Sequence, residues 1–155
     1  MRRTLVSSRE AFVTAITRDT PGTDLPRYVA VLDALIDWSL ARPTLLRFRE
    51  NEKRSDVVSF ERTGTEVVIW SVQAARNAAP RLEIHVPSGQ PLRDEDRATV
   101  LRTLNAHSRE VLVEGDRLRI GFGALKNAAA QTAVLALIEQ LLAGDGRQAG
   151  SPRTE

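Results

Sequence analysis

Basic and apolar residues alternate in three stretches of the chain: Leu46-Arg47-Phe48-Arg49, Arg81-Leu82-Glu83-Ile84-His85 and Arg117-Leu118-Arg119-Ile120. A guanidinium is planar, always charged, and grips a carboxylate or phosphate through two parallel hydrogen bonds. If each stretch is a strand, its pleat turns the apolar side chains to one face and Arg47, Arg49, Arg81, His85, Arg117 and Arg119 to the other. The chemistry on offer is anion recognition, directed at an acidic protein partner or a nucleic-acid backbone. Glu61 and Glu83 fall on the same face by this spacing. Cross-strand Arg–Glu pairs of that kind stabilise a solvated sheet by roughly 0.2–1 kcal/mol each.

The whole-chain balance neither strengthens nor removes this expectation. Twenty-two basic residues, of which only Lys53 and Lys126 are lysines, stand against 20 acidic ones, so the net charge of +2 does not by itself demand nucleic acid. Aromatic residues make up 5% of the chain, and Trp38, Phe48, Phe60, Trp70 and Phe122 fall mostly at positions expected in the core. Platforms for stacking bases are therefore scarce, which weakens RNA binding in particular.

Other chemistries find less support. The absence of cysteine excludes thiolate metal sites, iron–sulfur clusters and a cysteine nucleophile. Asp56 or Glu66 followed by Glu83-Ile84-His85 resembles the acidic motif of restriction-type nucleases, whose carboxylates hold magnesium. It departs from that motif at the lysine, where His85 stands. A metal-dependent nuclease or phosphoesterase with a degenerate carboxylate site is the enzyme alternative. Gly121-Phe122-Gly123-Ala124-Leu125-Lys126-Asn127 could offer amides and Lys126 to an anion, but it lacks both a dinucleotide fingerprint and a phosphate-loop ending. His85 and His107 are the only imidazoles and neither has a partner at i+4. No catalytic, metal-ligating or cofactor-binding residue is assigned, and no cofactor is expected. A small-molecule sensor with a pocket between the sheet and the carboxyl-terminal helix is a third possibility.

The elements that must position the arginines follow from periodicity. Leu5, Phe12, Val13 and Ile16 predict a first helix ending at Thr20-Pro21-Gly22, and Asp24 and Pro26 open a second that runs to Leu40. Strands follow near Leu46, from Asp56 to Arg62, from Val67 to Val72 and from Arg81 to Val86, with Thr63-Gly64 as a hairpin link. The third strand reads as apolar on both faces and hence central. Asp94-Glu95-Asp96 opens a third helix. Leu118, Ile120 and Phe122 mark a fifth strand, and a helix from Leu125 to Leu142 carries a thin, alanine-rich first half suited to close packing on a sheet.

The order α-α-β-β-β-β-α-β-α predicts an α+β fold, a mainly antiparallel five-stranded sheet with helices packed mostly on one face. Residues 1–143 are expected to form one domain in which helix 1–20 is peripheral and available for homo-oligomer formation. Gly144-Asp145-Gly146 should stop the last helix and leave 144–155 as a disordered tail. Arg9 and Glu10 interrupt any signal-like start, and no apolar run approaches the roughly 20 residues that span a bilayer. A cytoplasmic location without membrane contact is expected.

The helix Val31–Leu40, the strand Arg81-Leu82-Glu83-Ile84, Gly115-Asp116-Arg117-Leu118-Arg119-Ile120 and the helix ending Leu135-Ala136-Leu137-Ile138-Glu139-Gln140 together resemble a group of small bacterial α+β domains regarded as transport- or restriction-linked accessories. The resemblance covers roughly residues 29–142 and rests mostly on apolar core positions. It implies a compact binding or accessory module and carries over no catalytic residue; together with the arginine alternation, the leading expectation is a non-enzymatic one.

Overall fold

Thr4 starts the first helix, α1 (Leu5–Thr17), with a reciprocal cap. Its Oγ1 accepts from the Ser7 amide at 3.1 Å, and Ser7 Oγ accepts from the Thr4 amide at 2.9 Å. The computed structural model describes residues 4–18, 20, 22–75, 78–85, 102, 111–114 and 117–150, with backbone alone at 75, 78–79, 111–114 and 143–150. The predicted helix at Asp94-Glu95-Asp96, Val86, His107 and the chain beyond Gly150 lie outside the described residues.

Ser8, Phe12 and Ile16, one helical turn apart, bury one stripe of α1. The Phe12 ring lies 5.9 Å from that of Phe122, and Arg9 grips both oxygens of Asp33 on α2 (Leu25–Leu40) at 2.6 and 2.9 Å. The hydrogen bonds to Asp33 raise the Arg9 pKa above its ordinary value. The first helix is therefore part of the core, where a peripheral element was expected. Asp24 occupies the position before α2 but does not cap it; its carboxylate accepts instead from Lys126 Nζ at 3.1 Å. Tyr28, Val31, Leu32, Leu35, Ile36 and Ser39 form the buried stripe of α2.

The described residues form a six-stranded sheet from β1 (Leu46–Arg49), β2 (Val57–Arg62), β3 (Val68–Ala75), β4 (Ala78–His85), β5 (Val111–Glu114) and β6 (Arg117–Gly121), in the spatial order β1-β2-β3-β4-β6-β5. Every neighbouring pair is antiparallel. The antiparallel α+β architecture is the expected one, with one strand more than the sequence suggested. That strand, β5, holds only four residues, too short a run to stand out in the sequence. Gly64, at φ +84°, turns β2 into β3 as its position between the two strands required.

Leu46, Val58, Phe60, Trp70, Val72, Leu82, Ile84, Leu118 and Ile120 project inward and join α1, α2 and the last helices in one core that extends to Leu142. The apolar run in β3 has a local cause. Phe60 pairs with Trp70 and Glu61 with Val68, so Ile69 is an extra residue in a bulge, and both Ile69 and Trp70 enter the core. Trp70 stacks on Phe60 with centroids 5.0 Å apart, and its indole N–H donates to buried Ser39 Oγ at 2.9 Å.

A single turn, α3 (Phe122–Leu125), leads from β6 to α4 (Ala128–Gly150). The helix passes through Gly144-Asp145-Gly146, where a stop was expected; glycine costs about 1 kcal/mol in a helix interior, which elongation of a formed helix can absorb. Ala130, Val134, Ile138 and Leu142 form its buried stripe, whereas Ala128 and Ala129 are exposed. The alanine run is thus only half used for packing. Among the described residues, no helix is long and apolar enough to cross a membrane.

Candidate anion-binding face of the sheet

Register determines which side chains share the face turned away from the core. Arg47 pairs with Glu61, and the row Arg49–Ser59–Ser71–Glu83–Arg119 crosses five strands. A second row runs Val57–Gln73–Arg81–Gly121, and His85 stands opposite Arg117. All six residues singled out from the sequence therefore lie on one face, at the positions that strand alternation assigns them.

The face is organised around two carboxylates. Glu61, with a side chain only 7% exposed, accepts from Arg47 Nε at 2.5 Å and from Arg49 Nη1 at 3.4 Å. Arg49 Nη1 also donates to the Glu66 backbone carbonyl at 2.5 Å, so this side chain lies along β2. Glu83 accepts from Arg119 Nε at 3.0 Å, with Arg117 Nη1 at 3.8 Å and His85 Nε2 at 3.4 Å from its other oxygen. Each carboxylate thus holds a pair of arginines, one pair on the edge strand β1 and the other on β6. Between them β2 and β3 contribute the short hydroxyls of Ser59 and Ser71.

The outward side of β2 is drier than simple alternation predicts, because Val57, Ser59 and Glu61 are all buried. Arg49, opposite Ser59, contributes to this cover by reaching across to Glu61 and Glu66. The outer parts of the face remain accessible. Arg47 is 55% and Arg117 50% exposed, and Arg81, also exposed, has no side-chain partner among the described residues.

One polar group on this side was missed in the sequence. Arg54 grips Asp56 through Nε and Nη2 at 2.9 and 2.8 Å and donates from Nη1 to Gln73 Oε1 at 3.1 Å; the hydrogen bonds to Asp56 raise its pKa. The Arg54-x-Asp56 spacing was the available signal. This pairing occupies Asp56, one of the carboxylates of the nuclease-like motif, while Glu83 is already ringed by cations. Among the described residues, no three His, Asp or Glu side chains come together in a way that could hold a metal ion.

The other candidate positions are also filled from within. Lys126 bonds to Asp24, and Asn127 Oδ1 accepts from the amides of Ala129 and Ala130 at 2.8 and 3.4 Å, capping α4. A cavity of about 10 Å³ lies between α2 and α4, lined by Val31, Ala34, Leu35, Leu125, Gln131, Val134 and Leu135. It has room for about one water.

Fold and face together define a helix-backed antiparallel sheet presenting ordered guanidinium pairs. Comparison with protein-family models, curated proteins and solved structures returned no match for this chain.

Proposed function

We propose that the protein is a non-enzymatic binding module whose arginine-bearing sheet face contacts an anionic partner, an acidic protein surface in the first place and a nucleic-acid backbone in the second. The observation that carries this reading is the charge surplus of the face. On the outward strand positions, Arg47, Arg49, Arg81, Arg117 and Arg119 stand against Glu61, Glu83 and Glu114, the last placed opposite Arg117 by register, which leaves a surplus of two positive charges.

The aromatic residues favour a protein partner. Glu61 and Glu83 hold the guanidiniums in fixed positions, and the described aromatic rings pack with the core, where they offer no stacking to bases. A contact in water is worth about 1 kcal/mol at 4 Å and is screened over about 8 Å at physiological salt. Two surplus charges alone therefore support weak, salt-sensitive binding.

Arg81 and Arg117 are the residues with which to test this. Arg81 has no side-chain partner among the described residues, and Glu83 keeps Arg119 when Arg117 is neutralised, so Arg81→Glu with Arg117→Gln should leave the thermal melt nearly unchanged. Binding to poly-glutamate and to single- and double-stranded DNA, followed across a salt series, should weaken in the variant for whichever polymer binds. Failure of the unaltered protein to bind any of these at low salt would overturn the reading.

A further inference from the structure

We propose that the free edge of β1 takes up an extended acidic segment of a partner protein as an added strand, with carboxylates at alternate positions of that segment held by Arg47 and Arg49. This rests on the reading of the sheet face as a docking surface and specifies which part of it binds and the conformation of the guest.

The strand order places β1 at the end of the sheet, paired with β2 on one side and with no described strand on the other. In an antiparallel ladder alternate residues of a strand turn their N–H and C=O to one neighbour, and the rest turn theirs the opposite way. Thr63 donates to the Leu45 carbonyl, so Leu45, Arg47 and Arg49 face β2 while Leu46 and Phe48 face outward. The Leu46 N–H is taken by the Arg42 carbonyl at 2.9 Å, which leaves the Leu46 C=O and the N–H and C=O of Phe48 without a partner among the described residues, a short template for strand addition.

Side-chain chemistry selects the guest. Arg47 and Arg49 share a single carboxylate, Glu61, and so carry one positive charge in surplus. Arg47 commits only its Nε; its two terminal nitrogens have no partner among the described residues and form an open fork. A strand added at β1 brings its outward side chains within 4.5–5.5 Å, Cβ to Cβ, of Arg47 and Arg49, close enough for a bidentate grip on a carboxylate. On the opposite face, Phe48 packs edge-on against Phe60 at 6.2 Å but is only partly buried, so an apolar residue of the guest would complete its cover. The guest therefore alternates acid with apolar.

The same charges act against a second copy of this chain. Two β1 edges joined about a two-fold axis would bring four guanidiniums into one row, and like charges across a ladder destabilise it. A nucleic-acid backbone, for its part, cannot supply alternating N–H and C=O groups to a strand edge.

The test uses the full chain and four fluorescein-labelled peptides: Thr-Glu-Val-Glu-Val-Glu-Thr, its counterpart with lysine in place of glutamate, and two forms of the acidic peptide N-methylated at alternate residues, one in each phase. The acidic peptide should bind and slow amide exchange at the outward N–H of Phe48. The lysine peptide should not bind, and one of the two methylated phases should bind at least about tenfold more weakly. These changes are all on the peptide, so the protein's stability does not confound them. If both methylated peptides bind as well as the parent and exchange at β1 is unaltered, strand addition is overturned while face binding stands. If neither the acidic peptide, poly-glutamate nor DNA binds, both fall. Preferential binding of DNA at the β1 edge would overturn the choice of partner.

Discussion

Arg47 stands directly opposite Glu61 in the β1–β2 ladder, and its Nε donates at 2.5 Å to a carboxylate that is almost fully buried while the arginine itself is largely in water. The two residues are therefore unequal in energy. Removing one exposed arginine leaves Glu61 with Arg49. Removing both leaves a buried anion without a cation, a far costlier state.

The Arg47→Ala, Arg49→Ala double variant should accordingly lose about 1–3 kcal/mol, more than the two single changes together. Adding Glu61→Gln should recover part of the loss, because a neutral amide is less costly to bury than an unpaired charge. Urea denaturation of all the combinations gives the comparison. Strict additivity, with no recovery, would show that Glu61 is solvated in practice.

Trp70 and Ser39 form a second buried pair, connecting the sheet to α2 through the indole N–H at 2.9 Å. Ser39→Ala should cost about 1–3 kcal/mol by leaving that donor unsatisfied. Trp70→Phe in the Ser39→Ala background should cost less than the same change in the native protein, since the donor has already lost its acceptor. A thermodynamic cycle measured by chemical denaturation checks the coupling. Equal costs in both backgrounds would mean that the hydrogen bond contributes nothing net.

Much of this arrangement was legible in the sequence, for identifiable reasons. The pleat has a period of two, so Arg47, Arg49, Arg81, His85, Arg117 and Arg119 could be placed on one face from local spacing alone, and Glu61 and Glu83 with them. The bulge at Ile69 could not be seen, because an extra residue in a run of Val, Ile and Trp looks the same as a strand buried on both faces. Nor could the meeting of Lys126 with Asp24, which lie 102 positions apart and are joined only by tertiary packing. The course of α4 through Gly144 and Gly146 shows the limit of local stop signals: glycine weakens a helix without forbidding it.

Ser8 gives a prediction of opposite sign. It is 1% exposed on the inward stripe of α1, and its Oγ has no hydrogen-bond partner among the described residues. Burying a hydroxyl without a partner costs free energy, and alanine is the better helix former. Ser8→Ala should raise stability by about 1 kcal/mol and the melting temperature by roughly 2–4 °C. A destabilised variant would show instead that the hydroxyl is bridged by an internal water.

Gly64 separates conformational cost from packing cost. Its φ of +84° lies in the region L side chains avoid, yet a Cβ built there meets nothing within 4 Å. Any loss on substitution must therefore come from the backbone. Gly64→Ala should destabilise the protein by about 1–2 kcal/mol, and Gly64→Asn by less, because asparagine tolerates the left-handed region better. The turn does not touch the guanidinium pair on β6, so the pairing of Glu83 with Arg119, followed by the NMR shift of the Arg119 Nε–H, should be unchanged in both variants. The order of the two melting temperatures is the decisive measurement: if asparagine is no better than alanine, the cost is not set by the dihedral, and the turn must reorganise on substitution.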